Sequence, residues 1–280
     1  MIQVEGIFSG GSDISAPVIG RDFNWTGGDG TCIVIDDGGN WRIKFLSSGR
    51  FTPLKDMTID AFVVGGGGGG GHGEMAGSGK LMASGGGGGK TRTTKNISLL
   101  ANKTYRMVIG AGGSANADGG STYIENYNGG VLMGQSGGSA GAFIRDFAQP
   151  SASGVIAEGG VGGSGGGSAG VDFSTQNIAA ASAGGDDGHD GATFNGVITG
   201  GAGQGTTTRE FGEPDGALYA GGGGASANYA GMFISKAGTG GGGYNVEATD
   251  NTGGGGGGSW NPNITSRGGS GIIIIRNTRR

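Results

Sequence analysis

The segment Ile59 to Lys80, IDAFVVGGGGGGGHGEMAGSGK, carries a short apolar strand straight into seven consecutive glycines. Glycine loses more backbone entropy on ordering than any other residue, so such a run is either left loose or ordered by something other than side chains. It is not isolated: further glycine segments occupy 85–89, 159–170, 221–224, 240–243 and 253–258. The last of these leads into SGIIIIRNT (270–278), an almost uninterrupted β-branched stretch. A flexible linker needs neither VV at one end nor IIII at the other. Glycine makes up 75 of the 280 residues and proline only 5, with no glycine at every third position, which excludes collagen. Charged residues are 14% and the net charge is -4, which is not the highly charged composition of a disordered chain.

Between the glycine runs lie β-type sequences. TCIVID (31–36) and NWRIKFL (40–46), separated by DDGG, predict a hairpin, and MTIDAFVV (57–64) a strand. NISLLANKTYRMVIG (96–110), STYIENY (121–127), GAFIRDFAQPSASGVIAEG (141–159), FNGVITG (194–200) and NYAGMFIS (228–235) are inserts of the same character. No stretch offers three glycine-free turns with an apolar stripe, and a mid-helix glycine costs about 1 kcal/mol. QNIAAASAG (176–184) is the best helix candidate, and it is short. Consecutive glycines can instead form the extended threefold helix of polyglycine II, rising about 3.1 Å per residue, so that seven span roughly 22 Å. Without Cβ atoms such helices can approach closely and bond to one another. The expected fold is mostly β and extended with almost no α-helix. Phe62, Val63, Val64 and Ile272, Ile273, Ile274 and Ile275 would build a β base, from which an array of packed polyglycine II helices grows through residues such as Gly67 and Gly68.

Signals for chemistry are weak. SGGGGGKT (84–91) is the nearest approach to a phosphate loop, but Ser84 stands where the first glycine is required; in GSGK (77–80), Leu81 occupies the hydroxyl position. His72 and His189 lie far apart and form no ligand signature. Asp186, Asp187 and Asp190 offer oxygen ligands for calcium, without the repeat that builds such sites, and no other metal or cofactor is expected. Asp146, Glu158, Asp172, Glu210, Glu213 and Asp215 are the carboxylates from which a glycosidase pair would be drawn, and sequence does not place any two together. No catalytic residue is therefore assigned. Cys32 is the only cysteine, which leaves no disulfide within the chain. The basic residues are scattered except for Arg276, Arg279 and Arg280, so neither nucleic-acid binding nor, with no apolar window near eighteen residues, membrane insertion is expected. No secretion signal is visible at the amino end.

The order DAFVVGGGGGGG, TYRMVIGAGG (104–113), GGSTY (119–123) and GGGGGGSW…RGGSGIIIIR (253–276), preceded by WRIKFLSSGRFTP, resembles the glycine-rich domain of bacteriophage and prophage tail-fibre and tail-tip proteins over roughly residues 41–276. More distantly, the pattern is similar to the polyglycine II sandwich of T-even-like distal adhesins. The resemblance implies a non-catalytic adhesin at the distal end of a virion tail, extracellular after release, that recognises a bacterial surface glycan or protein. It also implies a homo-oligomer such as a trimer, with residues 1–58 as a β-rich segment attaching to other tail proteins, 59–276 as the glycine-rich domain and 277–280 as a basic tail. Aromatic side chains beside the glycine runs are the expected receptor contacts: Tyr123, Tyr127, Phe211, Tyr219, Tyr229, Tyr244 and Trp260. The alternative is a structural scaffold or spacer of a tail or cell surface, in which the same residues merely pack over glycine backbone.

Overall fold

The computed structural model describes residues 4–6, 15–28, 32–73, 81–145, 155–171, 178–179, 183–192, 201–228, 232–261 and 263–278. Six strands precede or lead into the first glycine run: β1 (Val4–Gly6), β2 (Phe23–Gly27), β3 (Cys32–Asp36), β4 (Arg42–Phe45), β5 (Gly49–Pro53) and β6 (Met57–Val64). The second run lies between β7 (Leu81–Ala83) and β8 (Thr91–Leu99), and β9 (Tyr105–Val108), β10 (Thr122–Glu125), β11 (Val131–Gln135) and β12 (Phe143–Arg145) follow. The remaining strands are β13 (Val155–Ala157), β14 (Ala169–Val171), β15 (Ile178–Ala179), β16 (Ser226–Asn228), β17 (Met232–Ile234) and β18 (Ile272–Asn277). Among the described residues the only helical element is a 3-10 turn, Glu210–Gly212. The segment 176–184, the best though short candidate for a helix, holds a strand at Ile178–Ala179 paired with β14, in line with the expected β and extended character of the chain. Alanine's helix propensity is worth less there than a ladder of backbone bonds to a neighbour already in place.

Two sheets form the base. One has the order β1-β3-β4-β18-β6-β8 and the other β11-β10-β9-β5-β2. The predicted hairpin of TCIVID and NWRIKFL is β3 paired antiparallel with β4, with Val34 opposite Ile43. Strands from both sides of residue 58 interleave, since β4 pairs with β18 and β5 with β9. Alternate residues of each sheet meet in one core, where Trp25 lies 4.7 Å from Phe45 and Phe45 lies 5.6 Å from Phe51, centroid to centroid. The runs FVV and IIII break the usual alternation because β6 and β18 are central strands covered on both faces. Val63, Ile273 and Ile275 enter the inter-sheet core, whereas Phe62, Val64, Ile272 and Ile274 pack on the opposite face beneath Phe211 and Tyr219.

The chain leaves these strands in extended glycine-rich segments. β6 continues into Gly65–Gly71, the segment 84–90 returns into β8, β11 continues into 136–142, and 266–271 delivers the chain to β18. At their other ends two small sheets form, β12-β7-β16-β17 and β13-β14-β15. Met82, Ala157, Ala169, Ala225 and Ala227 make a third apolar cluster there. The glycine-rich layer thus lies between a large β base and smaller sheets remote from it. Residues 74–80, 146–154, 172–177 and 229–231, which adjoin the strands of those smaller sheets in sequence, lie outside the described residues, as does the insert 194–200.

Candidate functional site

The first glycine run shows what the layer can do. Gly65, Gly68 and Gly71 donate their N–H groups to the carbonyls of Lys90, Gly87 and Ser84; Gly66 and Gly69 donate to Gly120 and Ala117; Gly67 and Gly70 donate to Gly269 and Ser266. These bonds are 2.7–3.0 Å long. The carbonyls of Gly66 and Gly69 accept from Gly138 and Gly141, those of Gly67 and Gly70 from Gly113 and Asn116, and those of Gly68 and Gly71 from Gly256 and Ser259. Each direction therefore recurs every third residue. The acceptors are met in reverse chain order and the donors in forward order, so the run has antiparallel and parallel neighbours at once. Buried backbone that no side chain shields is thus satisfied by other backbone, at all seven N–H groups and at the carbonyls of Gly66 to Gly71.

This closeness is possible only without Cβ atoms. A Cβ on Gly67 would fall on the carbonyl oxygen of Gly254, one on Gly68 on that of Ser139, and one on Gly70 on that of Gly257. At Ser139 a hydroxyl joins the layer's network: its Oγ donates to the Val161 carbonyl at 3.2 Å and accepts from the Val161 N–H at 2.7 Å. Within 85–89 the N–H groups donate to Gly167, Gly256, Ser139, Ser164 and Gly253. With every amide of that run engaged, SGGGGGKT offers no cradle for a phosphate.

A second construction is the segment around the 3-10 turn, which lies across the outer face of the larger base sheet. Arg42 Nη1 donates to Glu210 Oε1 at 2.8 Å, and the Tyr219 hydroxyl donates to Glu210 Oε2 at 3.3 Å. Burial pushes the Tyr219 hydroxyl well above its ordinary pKa, and the neighbouring Glu210 carboxylate pushes it the same way. Arg276, almost wholly buried, contacts the equally buried Asp60 at 3.4 Å and Glu213 at 2.7 Å, and its guanidinium carbon stands 3.9 Å from the centroid of the Phe211 ring. Phe211 itself has φ +56°, a left-handed conformation rare for a bulky residue. Glu210, Glu213 and Arg276 thus fix a strap over the sheet, and Asp146 and Asp172 lie outside the described residues.

A third feature is a set of three adjoining surface hollows of about 400, 530 and 450 Å³ at the edge strand β8. Thr91, Gln204 and Thr206 line the first two, Gln135 lines the second and third, and Arg92 lines the first and third. Sequence reasoning missed this surface, because its residues come from β6, β8, β10, β11, 161–162 and 202–212 and share no motif; the only signal was the basic and hydroxyl-rich character of KTRTTK (90–95).

The aromatic residues expected to contact a receptor are not brought together. Phe211 and Tyr219 are buried against Phe62, at 5.9 and 5.5 Å between ring centroids, and serve as the cover of β6 and β18. Tyr123 is half-buried at the third hollow. Trp260 is half-buried, with its indole nitrogen turned inward. Tyr127 and Tyr244 are exposed, at 47% and 50%, and Tyr127 packs edge-on against Tyr105 beneath the Lys103 ammonium. Tyr229 lies outside the described residues. The three aspartates considered for calcium are each engaged separately: Asp187 with Thr207 and Arg209, Asp186 with Thr239, and Asp190 with the Gly203 N–H. No group of three metal-ligating side chains occurs among the described residues, and no helix there is long and apolar enough to cross a membrane.

A family model described as a glycine-rich domain matches residues 46–278. No curated protein matches the chain.

Proposed function

The chain belongs to the glycine-rich domain family, and from that membership we propose that it is a non-catalytic structural scaffold or spacer, made stiff by packed polyglycine II helices. The observation that carries this reading is the bonding of Gly65–Gly71, whose N–H groups turn to a new neighbour at each residue and return to the first at the fourth. That periodicity is the one expected of a three-residue turn. A layer so bonded can hold the small remote sheets at a fixed distance from the base without a thick hydrophobic core. Native-state hydrogen exchange tests the proposal. The amides of Gly65–Gly71 and Gly253–Gly258 are expected to exchange as slowly as those of β6 and β18, whereas exchange at the rate of an unstructured peptide would overturn it.

A second reading, an adhesin on the distal tail of a virion that binds a bacterial surface glycan or protein, draws support from Tyr127 and Tyr244, aromatic rings left exposed on a braced frame. Attachment to other tail proteins through residues 1–58 and assembly as a trimer go with that reading. Replacing Tyr127 and Tyr244 by alanine, with folding verified, would then reduce adsorption to host cells; unchanged adsorption would remove these residues from it.

A further inference from the structure

The hollows along β8 differ from the rest of the surface in charge. Lys90, Arg92, Lys95 and Arg209 line them, and among the described residues no aspartate or glutamate does, although the chain as a whole carries a net charge of -4. Arg209 is matched by Asp187 at 3.2 Å. Lys90, Arg92 and Lys95 are exposed and have no ion pair among the described residues. Exposed cations lining a concave surface without counter-charge focus a positive field there.

The polar groups between these cations are held in place. Gln204 accepts the Thr91 N–H at 2.7 Å, and its amide nitrogen donates to the hydroxyls of Thr91 at 2.8 Å and Thr206 at 2.9 Å. From the other side Gln135 donates to the Thr91 carbonyl at 3.0 Å. The two glutamines occupy both backbone groups of the first residue of β8, so the edge at that point offers no ladder to an incoming strand. What remains for a ligand is a row of hydroxyl and amide side chains flanked by cations.

We propose that this surface binds an acidic polysaccharide, its carboxylates meeting Lys90, Arg92 and Lys95 and its hydroxyls meeting the Thr206, Gln135 and Gln204 side chains, while the buried Thr91 holds the two glutamines in place. A nucleic acid fits less well. Phe62 lies buried beneath the strap and Phe211, on the strap, is buried against it, and among the described lining residues the half-buried Tyr123 is the only other aromatic one, which leaves little to stack bases. The site goes beyond the scaffold role, and its loss would leave the stiffness of the glycine layer untouched.

Titration of the full chain with polygalacturonate oligomers, with neutral dextran and with double-stranded DNA of matched length tests the assignment. Saturable binding of polygalacturonate, weakening as salt is raised from about 50 to about 300 mM, is expected, with no binding of dextran. The triple variant Lys90→Gln/Arg92→Gln/Lys95→Gln should weaken that binding by about tenfold or more while its thermal unfolding midpoint stays that of the parent. Lys236→Gln, a change at an exposed cation that does not line the hollows, should leave binding unaltered. The assignment is overturned if the parent fails to bind polygalacturonate, if the folded triple variant binds it equally well, or if DNA binds more tightly than the polysaccharide.

Discussion

Gly67 and Gly130 show that glycine has two distinct uses in this chain. Gly67 is buried, and a Cβ there would fall on the carbonyl oxygen of Gly254, an atom held by its own network of backbone bonds. Gly130 lies in the β10–β11 turn, where an added Cβ would meet only Asn128 Oδ1 at 3.6 Å, an ordinary contact. Gly67→Ala is therefore expected to destabilise the fold by about 1–3 kcal/mol, in the range of overpacked cores, whereas Gly130→Ala should change it by less than about 0.5 kcal/mol. Urea unfolding of the two variants checks the contrast, and equal effects would mean that Gly67 is not in close backbone contact. The same distinction explains why glycine content alone is a poor guide to order. Both positions are simply G in the sequence, and only the identity of the neighbouring atoms separates them.

At the scale of the element, β18 and the strap around Glu210–Gly212 depend on one another. The strap covers Ile272 and Ile274, and Arg276 at the far end of the same strand reaches both Asp60 on β6 and Glu213 on the strap. Asp60 also accepts the Asn96 N–H at 3.1 Å, where the β6–β8 register shifts. Arg276→Met would leave the Asp60 carboxylate buried without its cation, at a cost of about 3–5 kcal/mol. Adding Asp60→Asn, which removes the stranded charge and keeps an acceptor for Asn96, should recover part of that loss in denaturant unfolding. No recovery would mean that packing of the guanidinium on Phe211, rather than charge pairing, is what Arg276 supplies. The strands themselves were legible: MTIDAFVV and IIII emerge as β6 and within β18 because β-branched and aromatic runs fit a sheet buried on both faces. The strap was not legible. Its aromatic residues have the same composition as exposed contact residues, and burial depends on which sheet face passes beneath them.

Across the whole molecule, several connections are braced by carboxylates whose pKa values lie below the ordinary range. Asp22 is held down chiefly by Arg21 with help from Lys55, Asp187 chiefly by the Thr207 hydroxyl, Glu247 chiefly by Thr265, and Asp250 chiefly by Arg267. A depressed carboxylate stabilises the folded chain fully above its ordinary value, 3.8 for Asp and 4.5 for Glu, and this contribution is lost as pH falls through the lower folded value. The thermal unfolding midpoint should accordingly vary little from about pH 8 down to about pH 5 and fall below about pH 4. Asp22→Asn and Asp250→Asn, already less stable at neutral pH, should show a shallower fall. An identical acid profile in both variants would show that these two carboxylates do not set it.

The sequence by itself determined the extended, nearly helix-free class, the central strands, and the need for glycine to order through its backbone, because these follow from steric freedom, β-branched patterning and entropy along the chain. Tertiary structure alone decided which segments surround Gly65–Gly71, why Phe211 and Tyr219 are covered, and how Lys90, Arg92 and Lys95 meet Gln135 and Gln204. A glycine run carries no side chain by which to name its neighbours. The register of the sheets at its ends sets those neighbours, and the same folding brings distant polar residues to one edge.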